Sequence, residues 1–181
     1  MKLDRQDQIS RAPERMVHLG LGAFFRAHQV WYTQQADPQN LWGYVAFTGR
    51  SAKAAQELEA QDGLYTLITR GAEGDQFDLM TPIVRAVDGN DLSAFTTAIA
   101  NPQTAVVTLT ITEAGYALAA DGTLLDGSAQ LVNLAAGVPQ TVLGRLAWAL
   151  NQRRQQGAGA IALVPCDNIP ANGQLLEGAL K

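Results

Sequence analysis

The apolar positions of this chain fall into short runs closed by turn-forming residues, and the runs alternate with helical patterns. Met16–Leu19 is an apolar run ended by Gly20 and reads as a strand. A helix follows over Phe24–Gln35, stopped by Ala36-Asp37-Pro38-Gln39-Asn40, because proline cannot sit inside a helix and Asp and Asn favour turns. Tyr44–Phe47 is a second apolar strand. Ser51 is placed to cap a helix that runs through Ala60. Strand, helix, strand, helix at this spacing predicts βαβ units and a parallel sheet.

Residues 63–87 break the rhythm. They read as two strands joined by a polar, glycine-rich turn, an antiparallel excursion from the main sheet. Asp91 then caps a short helix over Leu92–Ala100, stopped by Asn101-Pro102. Thr104–Thr112 is β-branched nearly throughout, as a strand buried on both faces should be. A loop over Glu113–Ser128 carries two Asp-Gly turns. Pro139–Gln155 is the strongest helix, with Val142, Leu146, Ala149 and Leu150 on one face. Arg153 and Arg154 suit its C-terminus and Gly157 its end. Ala160–Val164 is the last strand, and a helix begins near Asn172. No internal repeat or low-complexity segment is visible. The pattern predicts an α/β fold: a doubly wound, mainly parallel sheet with an antiparallel hairpin excursion.

Bulk properties narrow the function. The 181 residues suffice for one well-buried domain or at most two small ones. A net charge of −4 gives no electrostatic reason to expect nucleic acid or an anionic membrane as partner. The single cysteine, Cys166, forms no internal disulfide, which suits a reducing cytosol and a cytoplasmic location. No apolar run approaches the ~20 residues of a membrane span. Residues 1–15 form a polar stretch without the apolar core of a signal peptide, expected to be a short solvated lead-in. His18 and His28 have no metal-like spacing to each other or to Cys166, so no metal is expected.

The chemistry concentrates in Gly20-Leu21-Gly22-Ala23-Phe24-Phe25. These residues carry the first two glycines of G-x-G-x-x-G, with Phe25 where the third is usually Gly or Ala. The first glycine permits a tight turn. The second lets the backbone approach a pyrophosphate at a helix N-terminus. An ordinary strand-to-helix turn is the plainer alternative. The position favours the functional reading, because the pair follows a strand, opens a helix and sits in a βαβ unit. Arg26 adds a cation nearby. The second strand ends at Phe47-Thr48-Gly49-Arg50-Ser51, with no acidic residue to take ribose hydroxyls. Arg50 there either accepts a ribose 2′-phosphate, which would admit NADP, or stacks on adenine or faces water.

Four segments then occur together and in order: "HLGLGAFFRAHQ", "AQDGLYTL", "LTITEAGY" and "PCDNIPANG". With them the chain resembles the N-terminal domain of the mannitol dehydrogenase family of long-chain polyol-specific dehydrogenases and reductases. The motifs run from Val17 to about Gly173, nearly the whole chain. The resemblance implies a Rossmann-like domain over residues 16–181, followed in the family by a mostly helical catalytic domain. It implies a metal-independent hydride transfer between NAD, or NADP, and a sugar alcohol or sugar acid. Mannitol with fructose is the first expectation and sugar acids such as mannonate the second. It implies cofactor contacts at Gly20, Gly22, Phe24, Phe25 and Arg26, and at Thr110, Thr112 and Glu113 beside the nicotinamide. It assigns Asn168 to polarising the reacting oxygen, where an amide N–H stabilises developing negative charge. The alternative for Asn168, and for Asp167, is a loop or capping residue.

The family takes its catalytic base from a lysine of the C-terminal domain. The three lysines here, Lys2, Lys53 and Lys181, match no such position. The chain is therefore expected to be a cofactor domain without its base and inactive alone. A stand-alone nucleotide-binding or redox-sensing module is the rival reading, since fold does not fix function.

Overall fold

The computed structural model describes residues 3–6, 9–116, 139 and 141–180. Seven strands are described: five in a mainly parallel sheet and two in a separate antiparallel hairpin. The chain divides into two compact units, Met1–Asp91 and Leu92–Lys181.

The first unit contains β1 (Glu14–Leu19), α1 (Ala23–Ala27), α2 (Gln29–Ala36), β2 (Gly43–Phe47), α3 (Lys53–Glu59), β3 (Tyr65–Gly71), β4 (Gly74–Met80) and β5 (Ile83–Val87). Strand β2 lies between β1 and β5, parallel to both, with Val17 opposite Val45 and Ala46 opposite Ala86. Covered on both sides and buried along its whole length, β2 needs an unbroken apolar run, and Tyr44–Phe47 supplies it. The hairpin pairs β3 with β4, Ile68 facing Phe77. The sequence pattern runs β4 and β5 together as one strand. Thr81-Pro82 separates them, because proline has no N–H for the ladder, and the Pro82 carbonyl instead accepts from the Tyr44 amide at 2.8 Å.

Three further expectations change in this unit. The single helix over Phe24–Gln35 is two helices meeting at His28, whose φ of −117° and ψ of −77° bend the chain. Ser51 is not the N-cap of α3. Ala52 holds that position, and the Ser51 hydroxyl accepts only a long 3.3 Å bond from the Lys53 amide. The lead-in is solvated only in part: Asp4, Gln6, Ser10, Arg11 and Pro13 are exposed, whereas Arg5 and Ala12 are buried. Arg5 is 5% exposed, and its guanidinium donates to the carbonyls of Asp62, Ser10, Thr81 and Ile83 at 2.8–3.2 Å. Arg11 donates to the Val84 carbonyl and pairs with Asp62. These arginines tie the start of the chain to the β4–β5 connection.

The second unit contains α4 (Leu92–Ala100), β6 (Val106–Leu109), α5 (Glu113–Tyr116), α6 (Val142–Gln155), β7 (Ala162–Pro165) and α7 (Asn172–Leu180). Strands β6 and β7 pair in parallel, Val107 opposite Leu163. Strand β6 is shorter than the β-branched run Thr104–Thr112, because both flanks are taken up by turns. The Thr104 hydroxyl donates to the Ala98 carbonyl at 2.8 Å, and the Thr112 carbonyl accepts from the Gly115 amide at 2.7 Å. The expected loop therefore opens with helix α5, while its two Asp-Gly turns lie outside the described residues.

Helix α6 starts three residues later than the pattern predicts, at Val142, with the Thr141 hydroxyl capping the Gly144 amide at 3.0 Å. Its buried face is Leu143, Leu146, Ala149 and Arg153, while Val142 and Leu150 are half-buried. The helix ends as expected at Gly157, whose φ is +65°. Gly157 N–H donates to the Arg154 carbonyl and Ala158 N–H to that of Arg153, the paired closing bonds of a left-handed helix stop. Arg153 is only 3% exposed and does not face solvent at the helix end. It donates to the carbonyls of Ile99, Asn101, Ala158, Gly159 and Ala160 at 2.7–3.1 Å. Among the described residues no helix is long and apolar enough to cross a membrane.

Candidate functional site

In the first unit the glycine pair joins β1 to α1. Gly20 adopts φ +106°, a conformation that favours glycine. The amides of Gly20 and Leu21 both donate to the Phe47 carbonyl, at 3.0 and 2.9 Å, which pins the turn to the end of β2. Gly22 is the N-cap of α1 with extended backbone and no side chain to cap it. The first intrahelical bond runs from the Arg26 amide to the Gly22 carbonyl at 3.2 Å. The amides of Ala23, Phe24 and Phe25 therefore have no acceptor within the helix, and the first turn carries no acidic side chain. An anion of pyrophosphate type fits this turn chemically, because it supplies N–H donors and no competing carboxylate.

The two phenylalanines part company. Phe24 is 50% exposed, its ring stacked on His28 at 4.2 Å. Phe25 is fully buried, stacked on His18 at 3.4 Å and edge-on to Tyr44 at 5.0 Å. Its side chain belongs to the core, which leaves its backbone as the part of Phe25 that can face a ligand. Arg26 is half-buried. Its Nε donates to the Gly22 carbonyl at 3.2 Å and its guanidinium lies 5.9 Å from the Tyr65 ring centre. The Tyr65 hydroxyl donates to the Arg26 carbonyl at 2.6 Å, and burial pushes its pKa up, so it stays a donor. Beneath the turn His18 is fully buried, and burial lowers its pKa to about 3 against a backbone hydrogen bond at Gly20. Its ring is neutral at any working pH. Arg50 follows β2 and is exposed.

In the second unit Thr110 and Thr112 follow β6, the first half-buried and the second exposed. Glu113 opens α5, and its side chain lies outside the described residues. Asn168 follows β7 and is exposed. The residue before it is firmly held. The Asp167 carboxylate accepts from the Tyr116 hydroxyl at 2.8 Å and from the Asn172 side-chain amide at 3.0 Å. Asn172 also donates to the carbonyls of Pro165 and Asp167, at 3.2 and 3.0 Å. The Tyr116 pKa is raised by burial and by its bond to Asp167, which keeps the proton on the hydroxyl. Sequence reasoning treats Asp167 only as a cap and passes over Tyr116 and Asn172. The signal available for them was their place inside the motifs "LTITEAGY" and "PCDNIPANG".

The structure thus brings Gly20, Gly22, Phe24, Phe25 and Arg26 onto one turn, with Arg50 after the neighbouring strand. In the other unit it sets Thr110, Thr112 and Glu113 after β6 and Asn168 after β7. Each group follows the carboxyl end of a strand of the parallel sheet, where ligands bind in open α/β sheets. Among the described residues no three or more His, Cys, Asp or Glu side chains are grouped to hold a metal ion.

Comparison with known proteins is consistent along the chain. Residues 14–181 match the family model of the mannitol dehydrogenase Rossmann domain. D-mannonate oxidoreductase of Escherichia coli (strain K12) is 34% identical, covering 94% of this chain and 37% of its own length. D-arabinitol 4-dehydrogenase of Ralstonia nicotianae is 33% identical, covering 97% and 39%. The solved Pseudomonas fluorescens mannitol 2-dehydrogenase, a ternary complex with NAD and D-mannitol, superposes with a TM-score of 0.82. It is 30% identical, and the match covers 99% of this chain and 41% of that one. The chain spans less than two fifths of the length of these curated relatives. The chain belongs to the mannitol dehydrogenase family, and residues 14–181 are its Rossmann domain.

Proposed function

We propose that this chain is the dinucleotide-binding part of an NAD(P)-dependent dehydrogenase acting on the CH–OH group of a sugar alcohol. The observation that carries the reading is the Gly20–Phe25 turn, with its positive-φ glycine and three amides lacking helical acceptors, set between β1 and α1 of a family Rossmann domain. In this reading the amides of Ala23, Phe24 and Phe25 take the pyrophosphate, and the exposed Phe24 ring covers its apolar neighbourhood. Arg26, Thr110, Thr112 and Glu113 border the cofactor. The bound nicotinamide supplies hydride exchange. Asn168 donates an amide N–H to the reacting oxygen, and the Tyr116–Asp167–Asn172 bonds fix the backbone beside it.

The substrate we assign first is mannitol, with fructose as its oxidised partner. A sugar acid is the second reading, favoured by the D-mannonate oxidoreductase likeness. Lys53 is the only lysine among the described residues, and its side chain is 81% exposed beside Glu57. We therefore assign it no role as base and take the base to come from a helical C-terminal domain, so that this chain alone does not oxidise polyols.

The test uses Gly22→Asp. A Cβ at Gly22 would meet only the Gly20 carbonyl, at an ordinary 3.5 Å, and the extended backbone there suits an aspartate N-cap. The variant should keep or raise its melting temperature while a carboxylate now occupies the pyrophosphate position. NADH titration followed by nicotinamide fluorescence should show binding to the parent and loss of at least tenfold affinity in the variant. Equal binding by both would remove the turn from the site.

A further inference from the structure

The turn contains a glycine free to adopt other conformations, and something must hold it in one. We infer that His18 is the positioning residue of the dinucleotide turn, tying its beginning at Gly20 to its end at Phe25. The inference rests on the reading of the turn as a cofactor site. His18 is the penultimate residue of β1 and has no exposed surface. Its ring lies flat on Phe25, centroids 3.4 Å apart and planes 5° apart. It also makes a backbone hydrogen bond at Gly20. Tyr44 stands edge-on to both rings, at 6.4 and 5.0 Å, and closes the cluster from β2.

An aliphatic residue would fill the same volume at lower desolvation cost, since a buried polar ring is stable only when its hydrogen bonds are made. What histidine adds is a flat face for Phe25 together with a polar edge for the Gly20 backbone. Phe25 is the one residue of the first turn of α1 whose side chain enters the core. Fixing its ring therefore fixes the direction of the helix start and of the three open amides. The neutral state of the ring, enforced by burial, suits this role, because a charged imidazolium beside three N–H donors would oppose them.

Two variants separate the contributions. His18→Phe keeps a flat ring and loses the bond to Gly20; His18→Leu loses both. Val17→Ala, a fully buried neighbour on β1, controls for plain loss of stability. Two readouts are taken on the whole chain: NADH affinity, and hydrogen exchange of the peptide spanning Leu21–Arg26 against the peptide holding Trp148. We expect NADH affinity to fall about threefold in His18→Phe and at least tenfold in His18→Leu, with exchange of the turn faster in the same order. Val17→Ala should lower the melting temperature and leave both readouts within twofold. His18→Leu matching the parent in both readouts would overturn the inference, as would Val17→Ala matching His18→Leu. Should His18→Leu fail to fold, His18→Phe decides by the same two readouts. A parent chain that does not bind NADH would overturn the cofactor reading, and the exchange readout alone would then decide the role of His18.

Discussion

Replacing Arg153 by methionine tests how the second unit is held together. The guanidinium is 3% exposed and donates five hydrogen bonds, all to backbone carbonyls. Two of these, Ile99 and Asn101, end helix α4, and three lie in the 158–160 turn after α6. Methionine fills most of the volume, so the loss is chiefly of donors. The Ile99 carbonyl is buried and would go unpaired at about 1–3 kcal/mol, while the other four regain water in part at about 0.5–1 kcal/mol each. The sum is about 3–7 kcal/mol, a large share of a domain's stability. Arg153→Lys should recover less than half of it, because an ammonium has three donors and no fork. Urea unfolding followed by the fluorescence of Trp148 reads this directly, since Trp148 lies on α6 with Arg153, whereas Trp31 and Trp42 belong to the first unit. Replacing those two by phenylalanine in parent and variants isolates the signal. A loss below about 1 kcal/mol in Arg153→Met, or lysine performing as well as arginine, would refute the view of this residue as a backbone clamp.

Other consequences follow from single positions. His18 is neutral in the fold with a pKa near 3, so its contribution is present above its unfolded pKa of about 6.5 and is lost as the pH falls toward 3. Between pH 6.5 and 5 the parent should lose about 2 kcal/mol more than His18→Phe in urea unfolding, and equal losses would contradict the assignment. Gly63→Ala should cost about 3 kcal/mol or more, because Gly63 has φ +77° and an added Cβ would lie 2.1 Å from the Ile83 carbonyl oxygen. A melting curve within a few degrees of the parent would show that the chain relaxes there. Arg50→Ala should weaken NADPH binding several-fold more than NADH binding if Arg50 takes the 2′-phosphate, as competitive titrations will show. An unchanged preference would remove that role.

The strands were the most legible part of the molecule. Met16–Leu19 and Tyr44–Phe47 are apolar at every side chain except His18, as strands of a covered parallel sheet must be, and Gly20 marks where the first one ends. Three of the four motif segments, "HLGLGAFFRAHQ", "LTITEAGY" and "PCDNIPANG", contain all the candidate residues except Arg50. What the sequence hid were long-range polar contacts. Arg5 and Arg153 look like solvated cations, because their partners are carbonyls that carry no side-chain signature. The Tyr116–Asp167 bond joins residues 51 positions apart. The split between Phe24 and Phe25 was hidden for another reason. Adjacent residues on a helix point in different directions, and a pattern of two identical side chains does not say which one enters the core. The shifted face of α6 has the same origin. Arg153 is buried, while Leu150, which hydrophobic counting puts in the core, is only half-buried.

The Gly20–Phe25 turn is proposed to bind a dinucleotide in this chain as it stands. Calorimetric titration of the parent with NADH and with NADPH, side by side, addresses it most directly. Saturable one-to-one binding of at least one of them is the predicted result. Absence of heat and of competition for both, on protein shown to be folded by its melting transition, would contradict it.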